Sequence, residues 1–227
     1  MKKKRYAKEL AELEFELAKL QETVARKELK VAVIFEGRDA AGKGGAIKTI
    51  MRRMNPRIWR IWYNRAVVEP VMGFCTQSEY NLFMREAPQF ERMLIESGVI
   101  LLKFWIHVSQ EEQEQRFQDR ARDPRKRWKL SPIDLRGREL WIESSQYRDR
   151  MFALTSTDEA PWLVVDGNDK KKARLNIIRA ILDRVPYEFN KDAFDPIELP
   201  PRARIEDTDY KEPKLEQLNL VKDYYAD

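Results

Sequence analysis

The stretch Val31-Ala32-Val33-Ile34-Phe35-Glu36-Gly37-Arg38-Asp39-Ala40-Ala41-Gly42-Lys43-Gly44-Gly45-Ala46-Ile47-Lys48 decides the fold. Its first five residues form a β-branched and aromatic run, as expected of a buried parallel strand. A glycine-rich turn follows at once. From Ala46 to Met54 the composition is helical, and Asn55-Pro56 is the expected stop. The turn satisfies G-x-x-x-x-G-K between a strand and a helix, the context that this pattern requires. Backbone N–H groups of such a loop point into one concavity, so Gly37, Ala40, Ala41, Gly42, Gly44 and Gly45 are candidate phosphate-binding residues. Lys43 is placed to reach the terminal phosphates. A merely tight turn would not select a lysine after the second glycine.

Two further apolar runs lie outward of this unit, Val99-Ile100-Leu101-Leu102-Lys103-Phe104-Trp105-Ile106 and Trp162-Leu163-Val164-Val165-Asp166. Both read as buried strands with helical stretches before and after. Strands alternating with helices predict an α/β fold, a parallel sheet covered on both faces. Ahead of the first strand, Leu10, Leu13, Phe15, Leu17 and Leu20 stand among Glu and Lys, which predicts an amphipathic N-terminal arm over 6–28. From Glu188 onward the chain holds 11 acidic residues against 6 basic ones and many prolines, so 188–227 is expected to be a surface-wrapping tail. With 227 residues, a single domain carrying these parts is the first expectation.

Composition narrows the function. Apolar residues make up 43% and charged residues 36%, which is too polar for a membrane protein and too apolar for a disordered chain. No run approaches a membrane span, and the basic start leads into charged helix; the expected compartment is the cytoplasm. Cys75 is the single cysteine and His107 the single histidine, which removes disulfides, zinc sites and Ser-His-Asp or Cys-His catalysis. His107 reads as structural.

The residue after Lys43 departs from the common pattern. Gly44 stands where Ser or Thr usually offers Mg²⁺ a hydroxyl, so the metal needs another ligand. An acid inside a phosphate loop repels phosphate unless a cation lies between them. Asp39 is therefore the candidate metal ligand for Mg²⁺, with a local Asx-turn bond as the plainer reading.

The net charge of +5 is concentrated in one place: residues 116–129 carry seven Arg and Lys against Asp119 and Asp123. Arg116 and Arg120 share a helix face, and Asp123-Pro124 should end that helix. This predicts an arginine-rich lid over 112–138, since phosphoryl transfer depends on neutralising charge and a closing element can supply it. An ordinary solvated helix is the alternative. Trp128 fits lid packing as well as base stacking, and the stretch is too short to argue for nucleic acid. A long polyanion would suit it.

These residues resemble a polyphosphate kinase of the second family over 6–187. The resemblance rests on FEGRDAAGKGGAIK (35–48), WYNRAVVEPVMGFCT (62–76), RWKLSPIDL (127–135) and APWLVVDGNDKKKARLN (160–176), four blocks in order. It implies a P-loop kinase-like three-layer sandwich, mostly parallel, in which inorganic polyphosphate and a nucleotide exchange a phosphoryl group reversibly with Mg²⁺. It further implies that Asp39 binds metal and Lys43 the phosphates. Asn64, Arg65 and Glu69 would lie beside the transferred group, and Arg116, Arg120 and Lys129 would make polyphosphate or lid contacts. ADP or GDP giving ATP or GTP is the implied reaction, with monophosphate acceptors left open, and homodimers or homotetramers are the implied assemblies. An ATP-using monophosphate kinase and a catalytically impaired polyphosphate-binding module are the competing readings.

One departure is large. In that family the block beginning at Trp62 follows an Asp-Arg-Ser at the end of a strand, the aspartate binding metal, several dozen residues after Asn-Pro-Arg. Here Asn55-Pro56-Arg57 runs into Ile58-Trp59-Arg60-Ile61-Trp62 with neither. A chain so shortened is expected to show weak or no catalysis, and the sheet to have lost a central strand.

Overall fold

A computed structural model describes residues 1–52, 63–202, 204, 209–211 and 213–214. The Asn55-Pro56 stop and the junction up to Trp62 lie outside the described residues.

Helix α1 spans Lys3–Arg26, strand β1 Lys30–Gly37 and helix α2 Lys43–Ile50. A 3₁₀ turn at Asn64–Ala66 leads into α3 (Val68–Met72) and α4 (Gln77–Glu96), followed by β2 (Val99–His107) and α5 (Gln110–Arg122). A second 3₁₀ turn, Arg127–Lys129, precedes α6 (Pro132–Glu139), α7 (Trp141–Thr155), β3 (Trp162–Asp166) and α8 (Lys170–Leu182). All three predicted strands form, each within two residues of its sequence bounds. They pair in the order β1-β2-β3, all parallel, with Lys30 opposite Val99 and Lys103 opposite Trp162. Among the described residues β1 has a strand neighbour on one side only.

Strand residues alternate between two cores, which is why the runs are apolar throughout. Val31, Val33 and Phe35, with Leu102, Phe104 and Ile106, pack against α1, α2 and α8. Ile34, Leu101, Trp105 and Trp162 face Tyr63, α4 and α7 instead. The result is the expected three-layer α/β/α sandwich. The second core also holds a charge: Lys103, fully buried, donates to Glu91 Oε2 at 2.7 Å and to the Thr155 carbonyl at 2.6 Å. Tyr63 Oη donates to the other Glu91 oxygen at 2.6 Å, so the pair is satisfied on all sides.

Helix α1 begins at Lys3, and Leu10, Leu13, Leu17 and Leu20 face the core while Phe15 stays half-exposed. By contact the chain divides into two compact units, Met1–Asn190 and Lys191–Asp227. Glu188 is tied to α1. Its carbonyl accepts from Thr23 Oγ1 at 3.1 Å and its carboxylate from Lys27 at 2.6 Å. Among its described residues the second unit has only a 3₁₀ turn at Asp192–Phe194. No helix of the described residues is long and apolar enough to cross a membrane.

Candidate active site

The loop after β1 is held open by its neighbours. Gly37 has φ +149°, and a Cβ there would lie 2.5 Å from the Ile106 carbonyl oxygen, so only glycine lets β1 and β2 end side by side. Ala40 adopts φ +60°, a left-handed conformation that costs a non-glycine residue energy and is common where backbone is shaped for a ligand. Arg116 of α5 holds that shape. Its guanidinium is buried, and all five N–H donors are used: to Glu112, to the carbonyls of Ala40 and Ala41, and to those of Gly167 and Asn168 beyond β3. Arg116, expected to contact polyphosphate, makes all of these bonds within the protein. Gln113, one turn earlier, donates to the Asp39 carbonyl at 2.9 Å.

Helix α2 opens at Lys43, and the Gly45 and Ala46 N–H groups both donate to the Gly42 carbonyl at 3.1 Å. The Lys43 ammonium folds back onto the carbonyls of Gly37 and Arg38. A Cβ at Gly44 would meet nothing within 4 Å. The missing hydroxyl is therefore not enforced by crowding.

The Asp39 carboxylate accepts no hydrogen bond among the described residues. Burial, with Asp134 adding to it, pushes its pKa up against the pull of Lys43, Arg120 and Arg38. A desolvated carboxylate without a donor suits a hard cation that phosphate oxygens help to hold. Among the described residues no three His, Cys, Asp or Glu side chains gather around a common point.

In the segment expected to be a lid, α5 ends at Arg122 ahead of Asp123-Pro124, and α6 is capped by Ser131, whose hydroxyl accepts from the Asp134 N–H. Helix α6 rests on the loop. A Cβ at Gly137 would lie 3.1 Å from Asp39 Oδ2 and 3.5 Å from Met72 Cε. Arg120 ties the lid to itself, donating to the Lys129 carbonyl at 3.1 Å and lying 3.6 Å from Asp134 Oδ1. Lys129 and Trp128 are exposed at its outer face. Asn64, Arg65 and Glu69 make no hydrogen bond or ion pair to the loop among the described residues; Arg65 and Glu69 bind each other at 2.8 Å. The neighbouring Val67, Val71 and Met72 of that segment instead line a cavity of about 40 Å³ with Asp39.

Several site residues escaped the sequence reading. Glu36 and Trp105 line the same cavity, and burial raises the Glu36 pKa. Arg38 stacks 3.6 Å over the Trp141 ring and donates to the Trp141 carbonyl and Ser145 Oγ, fastening the loop to α7. Burial and nearby Arg148 lower its pKa to about 10. Lys170 and Arg174 of α8 meet the far end of the loop. Lys170 carbons lie 3.6 to 4.0 Å from a Cβ placed on Gly42, and Arg174 Nη2 lies 2.7 Å from one on Gly45. Only DKKKARLN, a block otherwise without assigned chemistry, signalled them.

A parallel α/β sandwich with a G-x-x-x-x-G-K loop between its first strand and the next helix has the fold of a P-loop kinase. The sequence profile of Polyphosphate kinase 2 (PPK2) matches residues 1–61 and 58–193, and the chain belongs to that family. It is 44% identical over 218 residues to NDP-polyphosphate phosphotransferase 1 of Ruegeria pomeroyi, covering 81% of this chain and 72% of the relative. It is 41% identical over 257 residues to the GDP-polyphosphate phosphotransferase of Mycobacterium tuberculosis, covering 97% and 86%. A crystal structure of a polyphosphate kinase 2 from Pseudomonas aeruginosa PA01 superposes with TM-score 0.75 at 31% identity, over 82% of this chain and 47% of that longer one. The profile match breaks at 58–61, and the M. tuberculosis alignment runs over more positions than the 227 residues present here. Relatives therefore carry positions without a counterpart in this chain, at the junction that the sequence marks as shortened.

Proposed function

We propose that the chain transfers a phosphoryl group reversibly between inorganic polyphosphate and a nucleoside diphosphate, ADP or GDP, with Mg²⁺ held by Asp39. The observation that carries this reading is the donorless, half-buried Asp39 carboxylate near Lys43 and against helix α6, in a chain of this family. When bound, Mg²⁺ would neutralise charge on the phosphate oxygens. The chain's own residues do the rest. Lys43 exchanges two backbone carbonyls for phosphate oxygens, and the α2 N–H groups bind the same oxygens. Arg116 keeps the loop in register, and the seated lid brings Arg120 toward the site and excludes water.

With no loop hydroxyl, turnover is slow and the Mg²⁺ requirement high. The test incubates the full chain with ADP, long-chain polyphosphate and Mg²⁺ and follows ATP, with Lys43→Ala and Asp39→Asn beside it. Wild type forms ATP and both variants lose the activity. Near-normal rates in Lys43→Ala, or faster turnover with ATP as donor and AMP as acceptor, would overturn the assignment.

A further inference from the structure

The lid helix meets the loop at Asp39, whereas α8 meets it at Gly42 and Gly45. These are opposite ends of the loop, and the α8 end is lined by cations. Lys170 and Arg174 are four residues apart, hence on one face of α8. Neither makes a hydrogen bond or ion pair among the described residues. The Lys170 ammonium is held below the ordinary lysine range, first by desolvation and then by Arg116, Arg120 and Arg174, with Glu112 opposing. Gathering Lys170 and Arg174 beside Arg116 and Arg120, with Glu112 opposing, costs stability that a bound polyanion would restore by relieving the repulsion.

Local glycines make room for it. Arg174 Nη2 occupies the space that a side chain at Gly45 would fill, so the guanidinium lies against the first turn of α2, directly after the phosphate loop. Arg116 is nearby but has no donor left, so Lys170 and Arg174 are the groups at this end able to bind a ligand.

We infer that Lys170 and Arg174 form a binding track for the body of the polyphosphate chain, which leaves the phosphate loop along α8, away from the end covered by α6. This deepens the proposed function and rests on it. The track lets the lid stay seated on Asp39 while a long donor remains bound. A donor of a few phosphates meets only the part of the track beside Gly42 and Gly45 and gains less from it.

The test measures binding of fluorescently labelled long-chain polyphosphate to the full chain at several salt concentrations, alongside KM for ADP and for tripolyphosphate. The variants are Lys170→Gln, Arg174→Gln and the double substitution, with Lys172→Gln as a charge-matched control on the same helix. The double variant should bind long chains about tenfold more weakly, with the slope of log affinity against log salt reduced by about one to two, as for lost phosphate contacts. KM for ADP and the melting temperature should stay near wild type, and KM for tripolyphosphate should rise by less than the long-chain affinity falls. Long-chain binding equal to wild type, an equal loss in Lys172→Gln, or a rise confined to KM for ADP would each overturn the track. Failure of the function itself reads differently: wild type would bind the chain, with the variants weakened, and yet transfer no phosphoryl group.

Discussion

Gly137 of the lid lies directly over Asp39: a methyl group on its α-carbon would stand 3.1 Å from the carboxylate oxygen Oδ2. The lid helix thus seats on the acid proposed to hold Mg²⁺, and a hydrogen in place of a side chain allows it. Gly137→Leu should prop α6 away from the loop. We expect kcat to fall about tenfold or more, as for other lids kept from closing, with polyphosphate binding largely kept. Steady-state rates and direct binding measured together check this. An unchanged kcat would show that seating on Asp39 is not required.

Arg116 joins the loop to the end of β3 through four backbone carbonyls. Arg116→Lys keeps the charge and a partner in Glu112 but cannot span the carbonyls, leaving buried acceptors unpaired. The expected loss is about 2 to 4 kcal/mol in urea unfolding, with a lower transfer rate. Normal stability with a raised polyphosphate KM would return Arg116 to the role of ligand contact.

Gly44 has open space around it, so a hydroxyl can be supplied there. Gly44→Ser should fold normally and gain about 0.5 kcal/mol from replacing a helical glycine. It should also lower the Mg²⁺ concentration needed for half-maximal transfer, which a metal titration of the rate measures. A variant with an unaltered Mg²⁺ requirement would show that the metal sits elsewhere.

Lys103 and Glu91 form a buried pair whose removal by halves is costly. Glu91→Leu leaves the Lys103 ammonium and the Tyr63 hydroxyl without their partner, and should lower stability by about 3 to 5 kcal/mol. Glu91→Leu combined with Lys103→Met should recover most of that loss, because apolar replacements of similar volume avoid desolvating charge. A double variant as unstable as the single one would contradict this.

His107 ends β2, where desolvation first, then Arg148 and Arg38, lower its pKa below 6.5 despite Asp166. Between the lowered value and 6.5 the unfolded chain binds more protons than the native one, so this residue makes stability rise with pH across that window and level off above it. His107→Gln should flatten that part of the curve. Melting temperatures of both proteins from pH 5 to 7.5 decide it, and identical slopes would refute it.

The sequence by itself determined the three strands, the phosphate loop, the helix break at Asp123-Pro124 and the family resemblance. Each is a local signal: apolar runs buried on both faces, a glycine spacing after a strand, and a proline that stops a helix. Spacing on α5 placed Arg116 and Arg120 together but could not show that one faces backbone carbonyls and the other the lid. That difference depends on where the ends of β1 and β3 fall relative to the helix. The same limit hid Arg38 on Trp141, Lys170 and Arg174 against the loop, and Glu36 in the cavity, since each meets its partner across elements distant in sequence. Only the tertiary structure decided which cations are held by the protein and which stay free for a ligand, because hydrogen-bond saturation is a property of packed neighbours and not of residue type.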